Sequence, residues 1–185
     1  MRGNGQQGDG GRERGKRRGP RHAGEPGDVQ ARGDRLYFAY GSNLDVNQMA
    51  TRCPGARLVG PARLDGHRLA FAGASRLWGG GVATVIAAPG HHVPGVVYAV
   101  GSAELGALDA FEGHPWFYER RRVRVRGDEG HCRAIIYALN ADRFPLAAPA
   151  DAYVETIVRG YSQHGIDPIA LTAAIELART AGGGA

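Results

Sequence analysis

Apolar residues first gather at Leu36-Tyr37-Phe38-Ala39-Tyr40. This short aromatic-rich run, closed by Gly41-Ser42-Asn43, predicts a buried strand over 36–40. Asp45 is placed to cap a helix running to about Arg52, which Cys53-Pro54-Gly55 stops. Four strand-like runs follow, over 56–64, 67–72, 82–87 and 93–100, each punctuated by Gly or Pro. Between the middle two, Trp78-Gly79-Gly80-Gly81 reads as a loop whose backbone a ligand could approach closely. Ser102 is a natural N-cap for a helix on which Leu105, Leu108 and Phe111 recur at helical spacing, with Gly113 suited to its end. Residues 118–126 alternate, with Arg120, Arg122, Arg124 and Arg126 on one face and Arg121, Val123 and Val125 on the other. Asp128-Glu129-Gly130 turns that strand back into 131–139, so the two predict a hairpin. Its arginine face reads as solvated, with nearby carboxylates as partners. Helical periodicity then takes over at 150–164, ended by Gly165, and Asp167-Pro168 opens a last helix to about Arg179. Strands in succession, with helices between and after them, predict an α+β fold with an antiparallel or barrel-like sheet.

Composition sharpens the boundaries. A chain of 185 residues predicts one domain, large enough to form a core without disulfide or metal staples. Gly is the outlier, at 30 residues, about twice ordinary usage. Much of that excess lies in residues 1–34, which also carry much of the net charge of +5. With almost nothing apolar to bury, this segment predicts a disordered Gly/Arg-rich tail. The expected domain therefore spans 35–180, with a frayed end at 181–185. A tail-mediated nucleic-acid role is the alternative reading of the arginines, disfavoured because no aromatic side chain interleaves them to stack on bases. No apolar stretch is long enough for a transmembrane helix, and no apolar h-region follows the first basic residues, so neither membrane anchoring nor secretion is expected. Two cysteines, Cys53 and Cys132, read as reduced thiols of a cytoplasmic protein. Lys16 is the sole lysine, a coding bias in favour of Arg.

Common catalytic signatures are missing: no P-loop, no dinucleotide-binding glycine fingerprint, no nucleophile elbow and no HExxH. The adjacent His91-His92 follows Pro89-Gly90 and reads as a polar loop, so no metal site is expected. Two constellations remain. Tyr40-Gly41-Ser42-Asn43-Leu44 is a strand end turning into a helix, whose free N–H groups suit a carboxylate, or which is a simple turn. Glu112 follows Phe111 at a helix end and precedes Trp116-Phe117-Tyr118. A carboxyl among aromatics is desolvated, which raises its pKa toward that of a general acid/base at neutral pH; a surface glutamate near a helix end is the plain alternative.

Taken in order, Leu36 to Leu44, Trp78 to Thr84, Val93 to Tyr98 and Leu108 to Gly113 resemble the gamma-glutamylcyclotransferase family. The Tyr-Gly-Ser-Asn strand end and the later Glu-Gly carry the resemblance, which spans about 36–178. It implies a small mixed β-barrel with flanking helices and no cofactor. It implies an enzyme that cyclises a γ-glutamyl group to 5-oxoproline and releases the amine, with Glu112 as catalytic acid/base. Tyr40, Gly41, Ser42, Asn43 and Leu44 would then bind the glutamyl head group. Gly80 joins them through its loop, and Tyr118 and Tyr137 are similar to family tyrosines near the pocket. The partner so implied is a small γ-glutamyl compound; a non-catalytic binding module of the same fold is the alternative, and a homodimer stays open. The segment 113–118 resembles members acting on γ-glutamylamines and on protected antibiotics, whereas the part after Pro149 resembles the dipeptide-acting enzymes. Asn43 departs from the Tyr-Gly-Ser-Leu opening of the glutathione-specific branch.

Overall fold

A computed structural model describes residues 34–140 and 142–182. The expected tail therefore lies almost wholly outside the described residues, as do the last three positions. Strand β1, Arg35–Ala39, is followed by a single 3-10 turn, Ser42–Leu44, and by α1, Val46–Arg52. Strands β2, Arg57–Ser75, and β3, Gly80–Val100, come next, then α2, Ser102–Glu112. The hairpin β4, Glu119–Gly127, and β5, Gly130–Ala138, precedes α3, Asp151–Gln163, and α4, Ile169–Gly182.

The five strands close into a barrel in the order β1-β3-β2-β4-β5. Pairings are antiparallel except at the seam, where β1 meets β5 in parallel through Tyr37 and Ile135. The expected barrel-like α+β architecture is thus present, with fewer and longer strands than the pattern predicts. The four runs over 56–100 are two continuous strands of 19 and 21 residues. Gly66 and Gly90, which suggested breaks within these runs, mark an irregularity instead. The register shifts between Asp65 and His67, where Gly66 has φ +73° and the facing strand detours through Gly90 at φ +83°. Such bulges bend a strand without ending its ladder, and a small barrel needs the bend to close.

The core is filled by Phe38, Phe71, Val93, Val96, Val100, Val125 and Ile136, all essentially inaccessible. Burying an aromatic or branched aliphatic side chain contributes roughly 1.5–3 kcal/mol, so this set dominates the barrel's cohesion. On α3, Tyr153, Ile157 and Tyr161 form one buried stripe, and on α4 Leu171, Ala174 and Ala178 form another. Helix α2 corrects the pattern: Leu105 and Leu108 face inward, whereas Phe111 is 55% exposed. Its cap is also one residue earlier than expected, at Gly101, with no side-chain bond. Asp45 caps α1 as predicted, its Oδ1 accepting from the N–H of Asn47 and Gln48 at 2.9 Å each. Helix α4 continues through Gly182, into the end expected to fray.

Candidate active site

The chain leaves β1 at Tyr40, makes the 3-10 turn and enters α1. In that turn the N–H groups of Leu44 and Asp45 bond back to the carbonyls of Gly41 and Ser42, each at 3.0 Å. Beside the turn lies a small cleft lined by Tyr37, Tyr40, Gly41, Ser42, Asn43, Ala83, Glu112, Tyr118, Tyr137 and Tyr153. Five tyrosines and one carboxyl make its chemistry. Glu112 is delivered by the last position of α2, where Gly113 turns the chain away at φ +62°.

Most tyrosine hydroxyls are tied to the barrel. Tyr40 Oη donates to the Tyr137 carbonyl. Tyr118 Oη donates to the Ala83 carbonyl at 2.6 Å, and Tyr137 Oη donates to Asp109 Oδ1 at 2.7 Å. Tyr153 Oη accepts from the Ala83 N–H at 3.2 Å, and Tyr37 Oη accepts from Asn43 Nδ2 at 2.9 Å. The O–H proton of Tyr37 thus has no acceptor among the described residues and is free for a ligand, whereas the Tyr153 hydroxyl also pairs with the Ser42 side chain.

Glu112 is 15% exposed at its side chain. Its Oε1 accepts from Asn43 Nδ2 at 3.0 Å and lies 3.9 Å from Arg52 Nη1. Burial raises its pKa from the ordinary 4.5 to about 7, against the opposing pull of Arg52 and Asn43. A carboxyl balanced at neutral pH can both take and return a proton, which is the requirement for acid/base catalysis by one group.

Residues 37–155 match the family described as gamma-glutamyl cyclotransferase, AIG2-like. The chain belongs to this family. It is 34% identical over 139 residues to the gamma-glutamylcyclotransferase of Homo sapiens, covering 71% of this chain and 72% of that one. The Mus musculus gamma-glutamylcyclotransferase is 32% identical over 153 residues, with coverage of 78% and 77%. A solved gamma-glutamyl cyclotransferase structure superposes with a TM-score of 0.70 at 31% identity, covering 77% of this chain and 86% of the other. The fold and the enzyme type, a gamma-glutamylcyclotransferase, therefore agree with the resemblance carried by the sequence.

Within this cyclotransferase fold, Tyr40, Gly41, Ser42, Asn43, Glu112, Tyr118 and Tyr137 come together at one cleft. Two expected members do not. Leu44 has no exposed surface, and its side chain packs toward Gly160 of α3 in the core. Gly80 lies against the chain segment before α3: a Cβ there would meet the Ala148 carbonyl and the Ala150 nitrogen at 2.8 Å. Its neighbours' N–H groups are also spent, Gly79 on the Ser75 carbonyl and Gly81 on the Ala148 carbonyl, each at 2.8 Å. The glycine run thus admits a crossing backbone rather than a ligand.

The aromatic cluster expected to bury Glu112 does so only through Tyr118. Trp116 is 80% exposed, and Phe117 packs on Phe144 with ring centroids 5.2 Å apart. Burial comes instead from Tyr37 and Tyr153, residues far away in the chain that sequence reasoning missed. Tyr153 had a signal: it opens the helical stripe with Ile157 and Tyr161, and a buried tyrosine hydroxyl needs a partner. Ala83 and Arg52 had none.

Proposed function

We propose that this enzyme folds a γ-glutamyl amino acid, amine or related natural product so that its α-amine attacks its own γ-carbonyl, with Glu112 moving the protons. The observation that carries this reading is the single carboxyl with a pKa of about 7 in a tyrosine-lined cleft. The attack closes a five-membered lactam, 5-oxoproline, and breaks the bond to the leaving nitrogen. Two protons leave the α-ammonium and two reach the departing amine. Glu112 starts as carboxylate, takes one proton, delivers it and repeats the transfer, so it ends as it began.

Positioning is the other half of the rate. Holding amine and carbonyl in contact replaces a search over the chain's rotamers. Among the described residues no cationic side chain lines the cleft, so a substrate carboxylate would be met by N–H groups and hydroxyls. The N–H groups of Gly41, Ser42 and Asn43 bond to no backbone acceptor among the described residues, which favours this loop over Gly79–Gly81 for that task and for the tetrahedral oxyanion. A well-placed donor to such an oxyanion contributes about 3–4 kcal/mol.

The test is a substrate panel. Purified enzyme is given γ-glutamyl amino acids, glutathione and γ-glutamyl-ε-lysine, and 5-oxoproline is measured. Release from one class defines the leaving group; release from none defeats the proposal. We place the enzyme in the cytoplasm, a reading supported by its two free thiols, Cys53 and Cys132.

A further inference from the structure

We infer that Arg52 is a positioning residue: acting through the Asn43 amide, it fixes which oxygen of Glu112 is held in the wall and which faces the reacting nitrogen. This rests on the reading of Glu112 as the acid/base. The chain of contacts is direct. Arg52 Nη1 donates to Asn43 Oδ1 at 2.8 Å, and Gln48 Nε2 donates to the same oxygen at 3.2 Å. A guanidinium has only donors, so the Asn43 carbonyl must face it and the Asn43 NH2 must face the other way. That NH2 reaches Tyr37 Oη and Glu112 Oε1. All four hydrogen-bonding positions of Asn43 are therefore engaged inside the protein. The side chain expected to contact substrate instead orients the carboxyl that does. Among the described residues only Oε1 of Glu112 has a partner, which leaves Oε2 to exchange the proton.

Arg52 is itself held. Its side chain is 11% exposed, and its guanidinium carbon lies 5.0 Å from the centroid of Phe111, the residue before Glu112. A planar cation stacks well on such a ring. Arg52 is not part of the cleft lining, so a ligand meets Glu112 while Asn43 holds the carboxyl from the wall and Arg52 stands behind Asn43. The titratable groups around Glu112 are Arg52 at the end of α1 and Cys53 just after it, Tyr37 from β1, Tyr40 after it, Tyr118 before β4, Tyr137 from β5 and Tyr153 from α3. Burial pushes the Cys53 thiol up to about 11 and the Tyr153 hydroxyl up to about 12, and it raises the other four tyrosines as well. Around neutrality Arg52 is thus the one charged neighbour of Glu112 among the described residues.

The experiment compares full-length wild type, Arg52→Gln and Arg52→Lys. It reads the pH profile of kcat/KM and, separately, the Glu112 carboxyl titration by ¹³C NMR, assigned by its loss in Glu112→Gln. Arg52→Gln should move both the acid limb and the carboxyl titration up by about one pH unit or more, the shift typical of losing a nearby opposite charge. Arg52→Lys should leave the titration near wild type but lower the plateau kcat with KM little changed, because an ammonium lacks the planar fork that locks the Asn43 amide. Unmoved limb and titration in Arg52→Gln overturn the inference, as does a variant that raises KM alone. Should Arg52→Gln fail to fold, Arg52→Lys decides: wild-type plateau and limb together overturn the positioning role. Full activity in Glu112→Gln would defeat the underlying reading instead, while the carboxyl titration still reports whether Arg52 governs Glu112.

Discussion

In its proposed role as acid/base, Glu112 bears opposite consequences for activity and for stability. Its folded pKa of about 7 lies above the ordinary 4.5, so the folded protein favours the protonated carboxyl. The resulting cost is absent below about pH 4.5, grows as pH rises and is complete above about pH 7. It amounts to about 3 kcal/mol at most. Glu112→Gln should therefore raise Tm at pH 8, leave it unchanged at pH 4, and lower turnover by orders of magnitude. Calorimetry at the two pH values, with an activity assay, checks all three. The wild-type kcat/KM should fall below about pH 7, because the starting base must be ionised. Asp45 shows the opposite sign. Burial pushes its pKa up, but the Gln48 and Asn47 N–H groups and Arg159, whose Nε lies 2.9 Å away, outweigh it and hold it below its usual value. Its stabilisation is present above the unfolded carboxylate range and is lost as pH falls through the lowered folded value. Asp45→Ala should cost about 1 kcal/mol as a lost helix cap, plus the lost partner of Arg159, read by denaturant unfolding at neutral pH.

At the level of elements, α3 governs the loop that borders the cleft. Gln163 Oε1 accepts from the Val46 N–H at 2.9 Å, and His164 Nε2 lies 2.9 Å from the Leu44 carbonyl. Gly160 lets the helix press directly on Leu44 and Asp45, because a Cβ there would collide with the Leu44 side chain and with the backbone at 2.7 Å. Gly160→Ala should destabilise by about 1–3 kcal/mol through overpacking and should lower kcat/KM by displacing the loop. An unchanged kcat/KM in the folded variant would separate helix packing from loop placement. The periodicity of α3 was legible from sequence, since Tyr153, Ile157 and Tyr161 repeat every four residues. What it packs against was not, because periodicity reports a buried face and not the surface that covers it. The strands show the same limit: Gly66 and Gly90 announce backbone departures in sequence, but a bulge and a chain reversal use the same residue.

For the whole molecule, every described residue lining the cleft falls between Tyr37 and Tyr153, from β1 to the first turn of α3. Removing residues 1–33 should therefore leave kcat/KM unchanged, and a γ-glutamyl substrate assay of the shortened chain checks it. A salt-dependent mobility shift with RNA or DNA that vanishes in that shortened chain would give the segment a separate role.

The sequence by itself singled out candidates for the chemistry. A Tyr-Gly-Ser-Asn strand end and a glutamate at a helix C-terminus are local arrangements, set by neighbours along the chain, and they point to Glu112 and to the turn after Tyr40. Only the tertiary structure decided what those residues do to one another. Closure of β1 onto β5 and docking of α3 bring Tyr37 and Tyr153 around a carboxyl from α2, and that burial, not the adjacent Trp116, raises its pKa. The folded structure also turns Asn43 toward Glu112 with Arg52 behind it, and the segment leading into α3 crosses close over Gly80. Desolvation and hydrogen-bond geometry depend on distances across the barrel, and spacing along the chain does not encode them.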